Sequence, residues 1–293
     1  MLLSLFTVAT PDLLPEQMLK AASDAGIQGI EWRYKGVPME ASQEEPSFWR
    51  RNLASIDPEN ADEEVAKAAA LTEQYGLKSI ALVPYLTSGD LKATEQAFQS
   101  AQKLGAAMMR VGVPGYHRSA NYHELYNGAI SYLSEVQEMS RQYGVKALVE
   151  THHGTIAPSA GLAYRLVSSF DPQHIGVLYD PGNMVHEGYE NYRMGLELLG
   201  PYLAHVHVKN ASWIQLEKPD SEIETYYQSK WSPLLNGVVR WSTVLEDLES
   251  VGYKGYLGIE DFSQSYSSVE MLKNFTQSMH SLSKQLHIGG AAQ

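Results

Sequence analysis

Four apolar runs in the second half of the chain each end in a carboxylate or an imidazole. They are Leu148-Val-Glu150-Thr-His152-His153, Val177-Leu-Tyr-Asp180-Pro-Gly-Asn183, Ala204-His205-Val-His207-Val-Lys209-Asn210 and Gly258-Ile-Glu260. Charged groups in such runs are rarely buried unless they are paired or bound to a metal. Glu150, Asp180 and Glu260 with one imidazole can hold a single divalent ion. An oxygen-rich set with one His suits Mn²⁺ first, then Mg²⁺ or Co²⁺, and Zn²⁺ stays open. Such an ion keeps positions free for substrate oxygens. A two-residue repeat puts His205, His207 and Lys209 on one face. His207 is nearer the end of its run and is the favoured ligand; His205 lies deeper and could be a hydrogen-bonded interior residue. Lys209 either binds a substrate oxygen or pairs with a carboxylate. His152 shares the face of Glu150 and could support it, while His153 could equally be a loop residue. Arg110, and Glu31 with Arg33 on an earlier run, either line the site or form an ion-pair network in the interior.

These residues need elements to hold them. Short apolar runs alternate with amphipathic ones throughout. Strands are expected at Leu2–Val8, Gly29–Arg33, Ser79–Pro84, Met108–Val113, Ala147–Thr151, Ile175–Asp180, Ala204–Lys209 and Tyr256–Phe262. Helices are expected at Pro15–Ala25, Ala61–Tyr75, Leu91–Leu104, Tyr122–Tyr143, Ser159–Ser169, Tyr192–Leu199, Trp241–Val251 and about Val269–Leu286, several stopped by a following Gly. Eight strand–helix units imply right-handed crossovers, a parallel sheet and a single-domain (β/α)8 barrel over residues 1–288, with 289–293 a frayed tail. No Gly-x-Gly-x-x-Gly turn supports an open nucleotide-binding sheet, and no nucleotide cofactor is expected. Two connections are long, Tyr34–Asn60 and Ala211–Arg240, and both would overhang the C-terminal mouth. In the second, Trp213, Tyr226, Tyr227 and Trp231 could stack on a ring-shaped ligand, close the mouth or pack a homo-oligomer interface. In the first, Arg50 and Arg51 beside Trp49 read as a solvated basic turn rather than an anion site.

Composition narrows the classes. The chain of 293 residues has no cysteine, which excludes disulfides, iron–sulfur clusters and thiolate chemistry and fits a reducing cytoplasm. The net charge of -12 argues against a nucleic-acid partner. No apolar run is long enough to span a bilayer, so no membrane partner is expected.

At these motifs the chain resembles the xylose isomerase-like TIM-barrel superfamily. Within it, the resemblance is to the sugar phosphate isomerase/epimerase group, with its tagatose-type epimerases, hydroxypyruvate isomerases and inosose dehydratases. The likeness covers nearly the whole chain. It is carried by Gly29-Ile-Glu-Trp-Arg33, Val149-Glu150, Asp180-Pro-Gly-Asn183, His205-Val-His207-Val-Lys209, Gly237-Val-Val-Arg-Trp241 and Gly255-Tyr-Leu-Gly-Ile-Glu260. It implies Glu150, Asp180, His207 and Glu260 as metal ligands, with Glu150 and Glu260 also moving the proton. With a small sugar or inositol-derived ketone as the implied substrate, His152, Asn183, Lys209 and Arg110 are the residues expected around it. Where many members carry His, this chain has Asn183, which can bind a hydroxyl but is a doubtful ligand. Where many carry Lys-Asp, it has Lys209-Asn210. The superfamily's zinc endonuclease branch needs further His ligands on early strands and a basic face, and this chain has neither.

The chemistry so implied is proton transfer α to a carbonyl through a metal-bound enediolate. Return to the other face epimerises, return to the neighbouring carbon isomerises, and loss of a β-hydroxyl dehydrates. A sugar isomerase or epimerase is the first expectation. An inosose dehydratase-type lyase and a non-catalytic sugar- or metal-binding barrel are the alternatives.

Overall fold

The computed structural model of the chain describes residues 1–217 and 224–287. Eight parallel strands form its centre: β1 (Leu2–Phe6), β2 (Gly29–Tyr34), β3 (Lys78–Pro84), β4 (Met108–Arg110), β5 (Lys146–Glu150), β6 (Ile175–Tyr179), β7 (Leu203–Val208) and β8 (Tyr256–Ile259). Each pairs with its sequence neighbours, and β1 pairs with both β2 and β8, which closes the barrel. The helices α1 (Pro15–Asp24), α2 (Ala61–Gln74), α3 (Leu91–Leu104), α4 (Tyr122–Tyr143), α5 (Ala160–Val167), α6 (Tyr192–Leu199), α7 (Trp241–Ser250) and α8 (Ser268–Gln285) form the outer ring. The expected tail at 289–293 lies outside the described residues.

Period-two alternation sorts the strand residues. Leu3, Leu5, Ile30, Trp32, Val206 and Val208 face the helices and join the main apolar core. Their neighbours Ser4, Glu31, Arg33, His205 and His207 are equally buried but polar, so the barrel interior carries the chemistry while the strand–helix layer carries the hydrophobic stabilisation. Side-chain caps start several helices: Asp90 accepts from Ala93 N, Asn121 from His123 N, Ser159 from Leu162 N and Ser267 from Glu270 N.

Several strands stop earlier than the hydrophobic runs predict. β1 ends at Phe6 and passes into a 3-10 turn, β4 ends at Arg110 and β8 at Ile259. Val111, Val113 and Phe262 beyond β4 and β8 line the mouth instead of extending the ladder, while Val8 beyond β1 is buried in a small apolar cluster. The long connection after β7 is not a plain loop: Ala211–Gln215 and Tyr227–Trp231 pair as an antiparallel hairpin. The connection after β2 contains the two-residue strand Ser55–Ile56 against Arg33 and Tyr34. A further short helix, Pro181–Glu187, follows β6 and is capped by Asp180, whose Oδ1 accepts from Asn183 N at 2.9 Å. Among the described residues, no helix is long and apolar enough to cross a membrane.

Candidate metal centre and its pocket

Barrel closure brings Glu150 (end of β5), Asp180 (after β6), His207 (β7) and Glu260 (after β8) together, each offering one ligand atom within 4.8 Å of the others. All four are buried. His207 Nδ1 lies 3.6 Å from Glu150 Oε1, 3.8 Å from Asp180 Oδ2 and 3.6 Å from Glu260 Oε2, and it has no hydrogen-bond partner. A buried imidazole nitrogen without a partner is costly. Metal–ligand bonds of about 2.1 Å put ligand atoms about 3 to 4 Å apart, so these donors fit one divalent ion.

The surroundings set the charges. Burial works to raise the Glu150 carboxyl, but the Arg110 guanidinium at 2.7 Å and His207 hold it well below the usual carboxylate range. Burial pushes the Glu260 carboxyl up, against the pull of Lys209 and His207. Burial opposes the charged imidazole of His207, yet the Glu31 and Glu260 carboxylates hold it well above its ordinary value. Lys209 Nζ bridges Asp180 Oδ2, at 2.9 Å, and Glu260 Oε2. It also lies over the rings of Trp231 and Phe262, at 4.9 and 5.1 Å from their centroids.

The remaining expected residues fall as follows. Asn183 Nδ2 donates to Asp180 Oδ2 at 2.9 Å and to Glu150 Oε1 at 3.2 Å. Lys209, Arg110, Asn183 and His152 all line a cavity of about 590 Å³ above the carboxylates, with Trp49, Tyr85, Trp231 and Phe262 as aromatic walls. Glu31 and Arg33 do not pair with each other. Glu31 meets His205 and His207, whereas Arg33 donates to Lys35 O, Ser55 Oγ and Trp49 O. Arg50 pairs with Glu44 and Arg51 donates to Glu44 O, in keeping with a solvated turn. Trp213 is half exposed and donates to Val185 O, which ties the hairpin to the short helix.

Tyr85, Phe262 and His186 escape the sequence reading. Tyr85 directly follows β3, so the rule of reading the residues just past each strand end could have found it. His186 depended on a helix that the sequence did not announce. Its ring stacks on His153 at 4.2 Å, which stacks on His152 at 4.4 Å. Burial, then neighbouring His152 and Lys209, push His153 down to about 4; burial, then His153, does the same to His186, also about 4. Both rings are therefore neutral at pH 7. Between about pH 6.5 and 4 the unfolded chain takes up protons that the folded chain refuses, so stability falls on acidification through that window. The Tm of the His153→Gln, His186→Gln double variant should drop less from pH 6.5 to 4.5 than that of the wild type. Parallel curves would contradict this.

Gly182 makes room for Lys209. A Cβ there would stand 2.7 Å from Lys209 Cβ and 2.8 Å from its carbonyl carbon. Gly182→Ala should cost about 1 to 3 kcal/mol by overpacking and weaken metal binding as Lys209 and Asp180 shift. Denaturant unfolding and metal titration of the variant check both; wild-type values in the two would show the backbone yields freely.

Residues 19–285 match the family described as xylose isomerase-like TIM barrel. The inosose dehydratase of Geobacillus thermodenitrificans (strain NG80-2) is 22% identical over 222 residues, covering 68% of this chain and 73% of that one. The inosose dehydratase of Bacillus licheniformis is 26% identical over 203 residues, which span 68% of this chain and 62% of the relative's length. Among solved structures, an IolI protein with a bound zinc atom superposes with a TM-score of 0.72 at 16% identity, covering 97% of this chain and 99% of that one.

Proposed function

The chain belongs to the xylose isomerase-like TIM barrel family, and from that premise we propose that it is a divalent-metal-dependent isomerase or epimerase of a ketose-like hydroxyketone. The observation that carries this reading is the unpartnered, buried Nδ1 of His207 facing three carboxylates. Glu150, Asp180, His207 and Glu260 would hold the ion, and their oxygen-rich set favours Mn²⁺ over Mg²⁺, Co²⁺ or Zn²⁺. When bound, the ion acts as a Lewis acid that eases loss of the proton beside the substrate carbonyl.

The chain's own residues do the rest. Glu150 and Glu260 reach the pocket from different strands; one takes the α-proton and the other, or the same one, returns it. Arg110 keeps Glu150 ionised and oriented, and Lys209 orients Glu260. Asn183 holds Glu150 and Asp180 in register through its amide. The walls of Trp49, Tyr85, Trp231 and Phe262 exclude water and offer flat faces to the C–H side of a sugar. The cysteine-free composition suits a reducing cytoplasm as the working compartment.

A lyase acting on an inosose-like ketone is the second reading, favoured by the likeness to the two inosose dehydratases. It shares the first proton abstraction and then expels a β-hydroxyl. Incubation with Mn²⁺ and a panel of ketoses and inososes in D2O, followed by NMR, separates the readings. Deuterium at the α-carbon of an intact sugar supports the isomerase or epimerase. A dehydrated product selects the lyase. Tight metal binding with neither outcome leaves a binding barrel and overturns the enzymatic reading.

A further inference from the structure

Beneath the four candidate ligands lies a carboxylate that the proposed chemistry does not use. Glu31 on β2 is fully buried, as are Ser4, His205 and His207 around it. Its Oε1 accepts from Ser4 Oγ at 2.8 Å. Its Oε2 lies 2.9 Å from His207 Nε2, in a hydrogen bond, and 3.0 Å from His205 Nε2. Glycine at 258 makes this possible: a Cβ there would stand 2.1 Å from Glu31 Oε1. Phe6 stacks on the His207 ring at 5.6 Å and fixes its plane from the side. A carboxylate is so costly to bury that its place needs an explanation.

We propose that Glu31 is the positioning residue of the metal centre, holding the proton of His207 on Nε2 so that Nδ1 is left to face Glu150, Asp180 and Glu260. Because an ionised carboxylate only accepts, the nitrogen it touches must be the donor. Nδ1, the nitrogen that faces the cluster, is then the one that offers its lone pair to an ion, which displaces the proton it carries in the metal-free chain. A carboxylate behind a ligating imidazole also raises the basicity of the ligand nitrogen. Ser4 and Gly258 complete the cradle, and Phe6 stops the ring from turning. This proposal rests on the reading of His207 as a metal ligand.

Zn²⁺ is the probe, because it is diamagnetic. Zinc affinity of the full chain is measured by competition titration for the wild type and for Glu31→Gln, Glu31→Leu, Gly258→Ala and His207→Asn. Glu31→Leu should lose about 10- to 100-fold in affinity, with Glu31→Gln intermediate because its amide oxygen still accepts. Gly258→Ala leaves Glu31 in place but displaces its carboxylate, so it should weaken zinc too, and it stands in if Glu31→Leu fails to fold. The second readout is NMR of zinc-loaded protein labelled with ¹⁵N-histidine, assigned by the signal missing from His207→Asn. In the wild type the Nε2–H proton of His207 should be protected from exchange and shifted downfield. In Glu31→Leu that signal should disappear or move upfield, a change that a merely structural role for Glu31 would not produce. Wild-type zinc affinity together with an unmoved His207 signal in the Glu31 variants overturns the positioning role alone. Undiminished zinc binding in His207→Asn, or none in the wild type, overturns the metal reading and this proposal with it.

Discussion

Glu260→Gln should slow deuterium exchange at the substrate α-carbon by about 10³-fold. Glutamine keeps the volume and still offers Lys209 an oxygen, so the pocket should keep its shape, but an amide cannot take up a proton. The carboxyl of Glu260 is pushed up by burial while that of Glu150 is held down beside Arg110. Exchange is to be measured on protein whose metal content has been determined, so that lost chemistry is not mistaken for a lost ion. A metal-loaded variant that exchanges at the wild-type rate would sink the assignment of Glu260.

Lys209→Met should destabilise the metal-free chain by about 3 kcal/mol, since removing one partner of a buried ion pair strands the other. Lys209 is 3% exposed and bonds both Asp180 and Glu260. Methionine fills most of the space between Trp231 and Phe262 but supplies no charge. Asp180 and Glu260 would then face Glu150 with only Arg110 and His207 to offset three carboxylates. A divalent cation would offset the same charges, so the variant should regain more Tm on Zn²⁺ or Mn²⁺ than the wild type does. Chelator and metal arms of one thermal-unfolding series read this directly. An equal response in both proteins would show that Lys209 and the ion do not share the same carboxylates.

Much of the fold was legible because it is written in local periodicity. Apolar strands separated by amphipathic helices, several closed by Gly, report eight units without any long-range information. Strand ends were less legible. The run Tyr256–Phe262 is apolar enough to read as one strand, yet the ladder stops at Ile259 and Phe262 becomes pocket wall. The short helix after Asp180 was hidden because it is only seven residues long and opens on Pro-Gly, which reads as a turn. That helix brings in His186, and the hairpin after β7 brings Trp231 to the cavity. Neither position follows from the residue's own run.

By itself the sequence determined the barrel and the family likeness. It also determined which residues of the last four strand runs alternate toward one face near their ends, because alternation and turn chemistry act over a few residues. Only the tertiary structure decided what those residues meet. Glu31 and His207 are 176 residues apart, and their hydrogen bond exists because β1 closes the sheet between β2 and β8. Arg110 faces Glu150 rather than solvent, and Lys209 chooses Asp180 and Glu260 rather than a free pocket. Period two can say that a side chain points inward. Which charge waits for it there depends on barrel closure, and burial away from water then makes each of those pairings matter.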